Sequence, residues 1–120
     1  MKEEITVSGL IELIESGERK NIRLRSWQLA KLFGVYESTI NANVKAIIRA
    51  DVIKVCLDCE VRLYGNILIP ETCDLEMIIA LSFRINTYEA SMFRKWIIRK
   101  IISKPPNIII LPIDTPRIIN

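Results

Sequence analysis

Three cysteines and no histidine set the first limits on what the side chains of this 120-residue chain can do. Cys56-Leu57-Asp58-Cys59 has the C-x-x-C spacing of metal and redox sites, and Cys73 follows it. With three thiols, a four-cysteine zinc site within one chain is impossible. The C-x-x-C stretch also reads as strand, where residues three apart face opposite sides and chelate poorly. The missing imidazole removes the commonest general base. There is no Gly-Lys-Ser/Thr phosphate loop and no nucleophile elbow. Glu12 and Glu15 read as one solvated helix face. The expectation is a chain that is not an enzyme, holds no metal or cofactor and keeps its thiols free.

The chemistry that remains is recognition of a polyanion. Net charge is +3, but its distribution is uneven. Arg19, Lys20, Arg23, Arg25, Lys31, Lys45, Arg49 and Lys54 are opposed over that span only by Glu37 and Asp51, a local balance of eight minus two, or +6. Each Lys or Arg near a phosphate releases condensed counterions, although a solvated face without a partner would carry the same charges. The types and order of the residues sharpen the choice. A helix starting at Tyr36 or Glu37 presents Glu37, Ser38, Asn41, Ala42, Lys45 and Arg49 as its outward positions. Asn41 can make a bidentate contact to adenine, Ser38 can contact several bases, and Ala42 lets the backbone approach a thymine methyl. Lys45 and Arg49 lie further along and favour phosphate. Arg25, Gln28 and Lys31, on or before the preceding helix, would hold the DNA backbone. Tyr36 joins this DNA-facing set, at a position where Ser, Thr or Asp would cap better. Glu37 suits a helix N-terminus but repels phosphate unless it accepts from cytosine N4.

The elements that position these residues follow from periodicity and punctuation. Ser8 caps a first helix ending near Ser16, with Leu10, Ile11 and Ile14 inward and Gly17 as the stop. Residues 22–24 read as a short strand. Ser26 caps a second helix over 27–33, with Leu29, Ala30, Leu32 and Phe33 inward. Ala30 is small where two helices cross, Gly34 permits the turn, and Ile40, Val44, Ile47 and Ile48 return the third helix to the shared core. The period then changes to extended structure. Tyr64-Gly65-Asn66-Ile67 marks a hairpin turn, with 67–69 as the returning strand. Asp74 or Thr72 caps a fourth helix over about 75–83. Asn86-Thr87-Tyr88-Glu89 is a capping box for a fifth, which Pro105 ends. That last helix carries Phe93, Ile97 and Ile101 on one stripe, Trp96 beside it, and Ile98 and Ile102 on another side. The tail from Asn107, with Ile108 to Leu111, is apolar enough to dock in extended form on this chain or on a partner's.

Trp27-Gln28-Leu29-Ala30-Lys31-Leu32-Phe33-Gly34-Val35, continuing to Val44, resembles the helix-turn-helix of RhuM-like virulence-associated proteins. The stretch from Cys73 to Asn86 resembles the same family's next segment. Phe93-Arg94-Lys95-Trp96 does so too, and is similar to the BRO and KilA-type domains of phage and viral DNA-binding proteins. The match spans about 21–104. It implies a bacterial or mobile-element protein with a DNA-binding head and no established catalysis. Of the residues matching the family's recurring positions, Trp96 reads as core, as does nearby Phe93, and Arg84 and Arg94 as ion-pair or capping partners. Tyr36 departs from the family's small polar cap.

Together these readings predict a mainly α chain with a small β-hairpin (α+β): a winged helix-turn-helix followed by a two-helix C-terminal segment. They place it in a single domain over 1–120, with the helix-turn-helix core at about 22–70, the helical segment at 72–104 and the extended tail at 105–120. The expected partner is double-stranded DNA, bound by a homodimer in a regulatory role, with no small-molecule substrate. A start of Met1-Lys2-Glu3-Glu4 without an apolar segment behind it, and no apolar run near ~20 residues, predict a cytoplasmic protein with no membrane partner. The alternative is a protein-interaction module on a degenerate helix-turn-helix scaffold.

Overall fold

The computed structural model describes residues 4–50 and 60–103. They form a mixed α+β fold: α1 (Val7–Glu15), β1 (Leu24–Arg25), α2 (Ser26–Phe33), α3 (Glu37–Arg49), β2 (Val61–Tyr64), β3 (Ile67–Pro70), β4 (Thr72–Cys73), α4 (Leu75–Ser82) and α5 (Tyr88–Ile102). The expected C-x-x-C strand and the isoleucine-rich tail lie outside the described residues. Among those described, no helix is long and apolar enough to cross a membrane.

The helix boundaries are set by side chains that satisfy the exposed N–H groups of first turns. Thr6, not Ser8, caps α1: its backbone is extended, and its Oγ1 accepts from the Gly9 N–H at 3.1 Å. Ser26 is the first residue of α2 and not its cap, because its hydroxyl is used inside the protein. Arg25 takes the cap position, and Gln28 Oε1 accepts from the Arg25 N–H at 2.8 Å. Asp74 accepts from the Met77 N–H at 3.0 Å and opens α4. The fifth helix starts one residue later than the Asn86 box predicts. Thr87 Oγ1 accepts from the Ala90 N–H at 3.2 Å, and its hydroxyl donates to the Phe33 carbonyl at 2.7 Å, tying α5 to the end of α2.

The turn between α2 and α3 is glycine-dependent. Gly34 is left-handed (φ 68°, ψ 39°), a conformation costly for residues with a Cβ. The chain then runs extended through Tyr36 into α3, whose Ile40, Val44 and Ile47 are buried as the periodicity predicts. Leu29, Ala30, Leu32 and Phe33 of α2 are buried as expected.

The β structure is a two-residue hairpin and one continuation of it. β2 and β3 are antiparallel with Tyr64 opposite Ile67, and Gly65 (φ 68°) supplies the positive φ that the tight turn needs. Only Glu71 separates β3 from β4, which pairs antiparallel with β1 in the register Leu24 with Cys73 and Arg25 with Thr72. The chain from Ile67 to Cys73 therefore pairs first with β2 and then, after a bend at Glu71, with β1.

Leu10, Phe33, Ile40, Ile78, Leu81 and Phe93 bring α1 to α5 into one core. Phe93 lies 6.4 Å from Phe33 and stacks on Trp96 at 6.1 Å between centroids. Arg94 closes the C-terminal end of α4: its guanidinium donates to the carbonyls of Ser82 and, at 2.8 Å, Ile85. That is the capping role expected of it. Ile101, expected inward beside Phe93 and Ile97, is 65% exposed, because the core ends before the last turn of α5.

Candidate functional site

The site is built on α3. Ser38, Ala42, Lys45 and Arg49 recur at i, i+4, i+7 and i+11, so they form one stripe along the helix. Ser38, Ala42 and Arg49 are exposed, and Lys45 is half-buried. Four of the expected outward residues are thus brought together on one side. Glu37 is exposed in the first turn of α3, and Tyr36 is 82% exposed just before it.

Asn41 is the correction. It is 8% exposed and faces the hairpin, not solvent. Its Oδ1 accepts from the Ser26 hydroxyl at 2.8 Å and from Arg62 Nη2 at 2.6 Å. The same Arg62 nitrogen donates to Ser26 Oγ at 2.8 Å, and its Nε lies 2.9 Å from Glu71 Oε1. This arrangement joins α2, α3, β2 and the link between β3 and β4. An adenine contact from Asn41 would require taking this network apart, at the cost of its bonds to the Ser26 hydroxyl and the Arg62 guanidinium.

The remaining expected residues divide by partner. Arg25 Nη1 stands 4.0 Å from the second oxygen of Glu71, so Glu71 sits between two guanidinium groups. Lys31 Nζ is 3.5 Å from Glu4. Both are solvent-facing pairs, worth about 0–1 kcal/mol and easily exchanged for phosphate. Gln28 is committed to the start of α2 through its Oε1. Lys45 Nζ lies 5.9 Å from the Tyr64 ring centroid, a cation–π arrangement that steers it toward the hairpin turn. A Cβ at Gly65 would meet that Nζ at 3.1 Å.

Arg62 and Glu71 were not among the expected site residues. The apolar residues around them mark extended structure but not which face is covered: Arg62 and Tyr64 are half-buried, while Leu63 is 67% exposed. Arg84 has a related role on the other side of α3, where its Nε donates to Asn43 Oδ1 at 3.0 Å.

The described residues contain no group of three Cys, Asp or Glu side chains suited to a metal ion. Cys56 and Cys59 lie outside them. Cys73 is buried, and desolvation, followed by the negative charge of Asp74, pushes its thiol up to about 12, against the partial relief from Arg62. A thiol so held is protonated and inert at neutral pH. Comparison with protein-family models, with curated proteins and with solved structures finds no match for this chain.

Proposed function

We propose that the chain is a winged helix-turn-helix protein that binds double-stranded DNA, with α3 in the major groove, the β2–β3 hairpin as the wing and a homodimer as the binding form. The observation that carries this reading is the stripe of exposed Ser38, Ala42 and Arg49 and half-buried Lys45, with a hairpin fixed beside it by Arg62 and Asn41. Ser38 and Ala42, nearer the N-terminus of α3, are the base-facing pair. Lys45 and Arg49 are the phosphate pair, supported by Arg25 and Lys31 from α2 and its approach. The resemblance of 27–44 to the RhuM-like helix-turn-helix supports the same reading, as does the local excess of positive charge. No group in this reading performs catalysis, and the role proposed for the bound protein is regulatory.

The test is a fluorescence-anisotropy titration of duplex DNA across salt concentrations. Binding at low salt is expected, and Lys45→Ala with Arg49→Ala should flatten the slope of log K against log salt by about two units. No binding at low salt, or a slope unchanged by the double substitution, removes the proposal. Selection from a random pool should return a palindrome if the homodimer is the binding form.

A protein-interaction module is the second reading, and one observation favours it. The outer side of the hairpin is apolar: Leu63 and its cross-strand partner Leu68 are both exposed, at 67% and 51%. A wing that touched phosphate would gain from cations there. Replacing both leucines with lysine should preserve or tighten duplex binding on the first reading. On the second it should abolish the protein contact and leave no duplex binding to improve.

A further inference from the structure

Around the C-terminal half of α5 lies a groove of about 620 Å³, with Ile14, Leu75, Ile79, Trp96, Ile97 and Ile101 in its lining. It runs between the end of α1, the start of α4 and α5. Its rim is bridged by Lys100, whose Nζ is 3.4 Å from Glu15 and 5.8 Å from the Trp96 ring centroid. An apolar groove of this size loses free energy to water unless something covers it. We propose that its occupant is the chain's own segment Ile108-Ile109-Ile110-Leu111, folded back along α5.

Three features select this segment. Ser103, the last described residue, itself lines the groove, so the following residues start at its mouth and pay little loop-closure entropy. Pro105 and Pro106 follow at once. Proline lacks the N–H and clashes with the preceding turn, so it disfavours continuation of α5 along the same axis. The reach is sufficient as well. From Trp96 to Ser103 the helix rises about 10 Å at 1.5 Å per residue. An extended chain covers about 3.3 Å per residue, so four residues after the proline turn span that length. Ile108 and Ile110 then face one side of the segment and Ile109 and Leu111 the other, so alternate side chains enter the groove. Nothing comparably apolar leads away from the groove's other end, where Glu15 is followed by Ser16-Gly17-Glu18-Arg19.

Photo-leucine placed at position 110 of the full chain, with cross-links mapped by mass spectrometry, tests this directly. Cross-links to Ile79, Trp96 or Ile97 in the monomer band are expected. Cross-links to those helices only in a dimer band would show that a second copy's tail fills the groove, and would overturn the assignment to the same chain. Cross-links elsewhere, or none, would also overturn it. A second measurement uses acrylamide quenching of Trp96 in a Trp27→Phe background. Ile108→Asp with Ile110→Asp should raise the quenching constant about twofold at unchanged helical circular dichroism, independently of protein concentration. An unchanged constant sinks the proposal even if the cross-linking variant is poorly labelled.

Discussion

Asn41 and Arg62, 21 residues apart, meet at 2.6 Å, and that one hydrogen bond couples α3 to the hairpin. Around it, Ser26 donates to the same amide oxygen, and Glu71 holds the other edge of the guanidinium. Arg62→Ala should therefore destabilise the fold by about 1–3 kcal/mol, the cost of leaving a buried acceptor partly unpaired. Asn41→Ala should cost a similar amount. Because both remove the same contact, the double variant should fall short of the sum by about 1 kcal/mol or more in a urea-denaturation cycle. Additive losses would mean that the two side chains do not work as a pair.

This pair also marks where the sequence stopped being legible. The hairpin was readable because Gly65-Asn66 stands between two apolar runs, and Gly65 does adopt φ 68°. The buried faces of α2 and α3 were readable because Leu29, Phe33, Ile40 and Val44 recur at helical spacing. Asn41 was not readable. It sits on the border between the inward residues Ile40 and Val44 and the outward stripe through Ser38, Ala42 and Lys45. A border position faces solvent or protein according to what packs beside the helix, and that neighbour is the hairpin, distant in sequence. The faces of β2, with Arg62 inward and Leu63 outward, were unreadable for the same reason: a strand has two faces, and the sequence does not say which one is covered. Cap positions moved by one or two residues because neighbouring polar side chains can each start a helix in their own register: Thr6 does so through the Gly9 N–H and Thr87 through the Ala90 N–H.

Gly34 fixes the turn ahead of α3, and a Cβ there would stand 3.1 Å from Glu89 Oε1. Gly34→Ala carries two separable costs. The left-handed backbone costs roughly 1–2 kcal/mol for a residue with a Cβ. The carboxylate contact adds a smaller amount, since the end of a glutamate side chain can move. Introducing Glu89→Ala into the Gly34→Ala variant should relieve the second cost and leave the first. Thermal denaturation of the four proteins checks this; full recovery of stability would show that backbone conformation at Gly34 is not the constraint.

Arg94 holds the carbonyl of Ser82, which ends α4, and that of Ile85 just beyond it, and this commitment decides what its removal does. Arg94→Met keeps much of the aliphatic stem and deletes the donors. A loss of about 1.5–3 kcal/mol is expected, as for hydrogen bonds to a charged group. The salt dependence of duplex binding should not change, because the guanidinium is turned to the protein. A slope reduced by about one unit would instead place Arg94 on a phosphate.

Cys73 gives the fold a defined response to alkali. Its thiol ionises at about 12 in the native state against 9.0 for the unperturbed group, through burial first and the charge of Asp74 second. Well below pH 9 both native and unfolded chains keep the proton, and the thiol contributes no pH dependence. As pH rises from 9 toward 12 the unfolded chain releases the proton while the native chain retains it. The unfolded state then binds fewer protons, so stability falls with rising pH, by up to about 1.4 kcal/mol per unit and on the order of 4 kcal/mol across the window. Tyrosine and lysine titrations overlap this range, so the informative quantity is the difference between the native sequence and Cys73→Ala. That difference should level off toward pH 8 and narrow with increasing slope through pH 9 and above, as the variant loses less stability per pH unit. Urea denaturation at half-unit intervals from pH 8 to 11 measures it, and parallel slopes for the two proteins would show that the Cys73 thiol is not desolvated in the native fold.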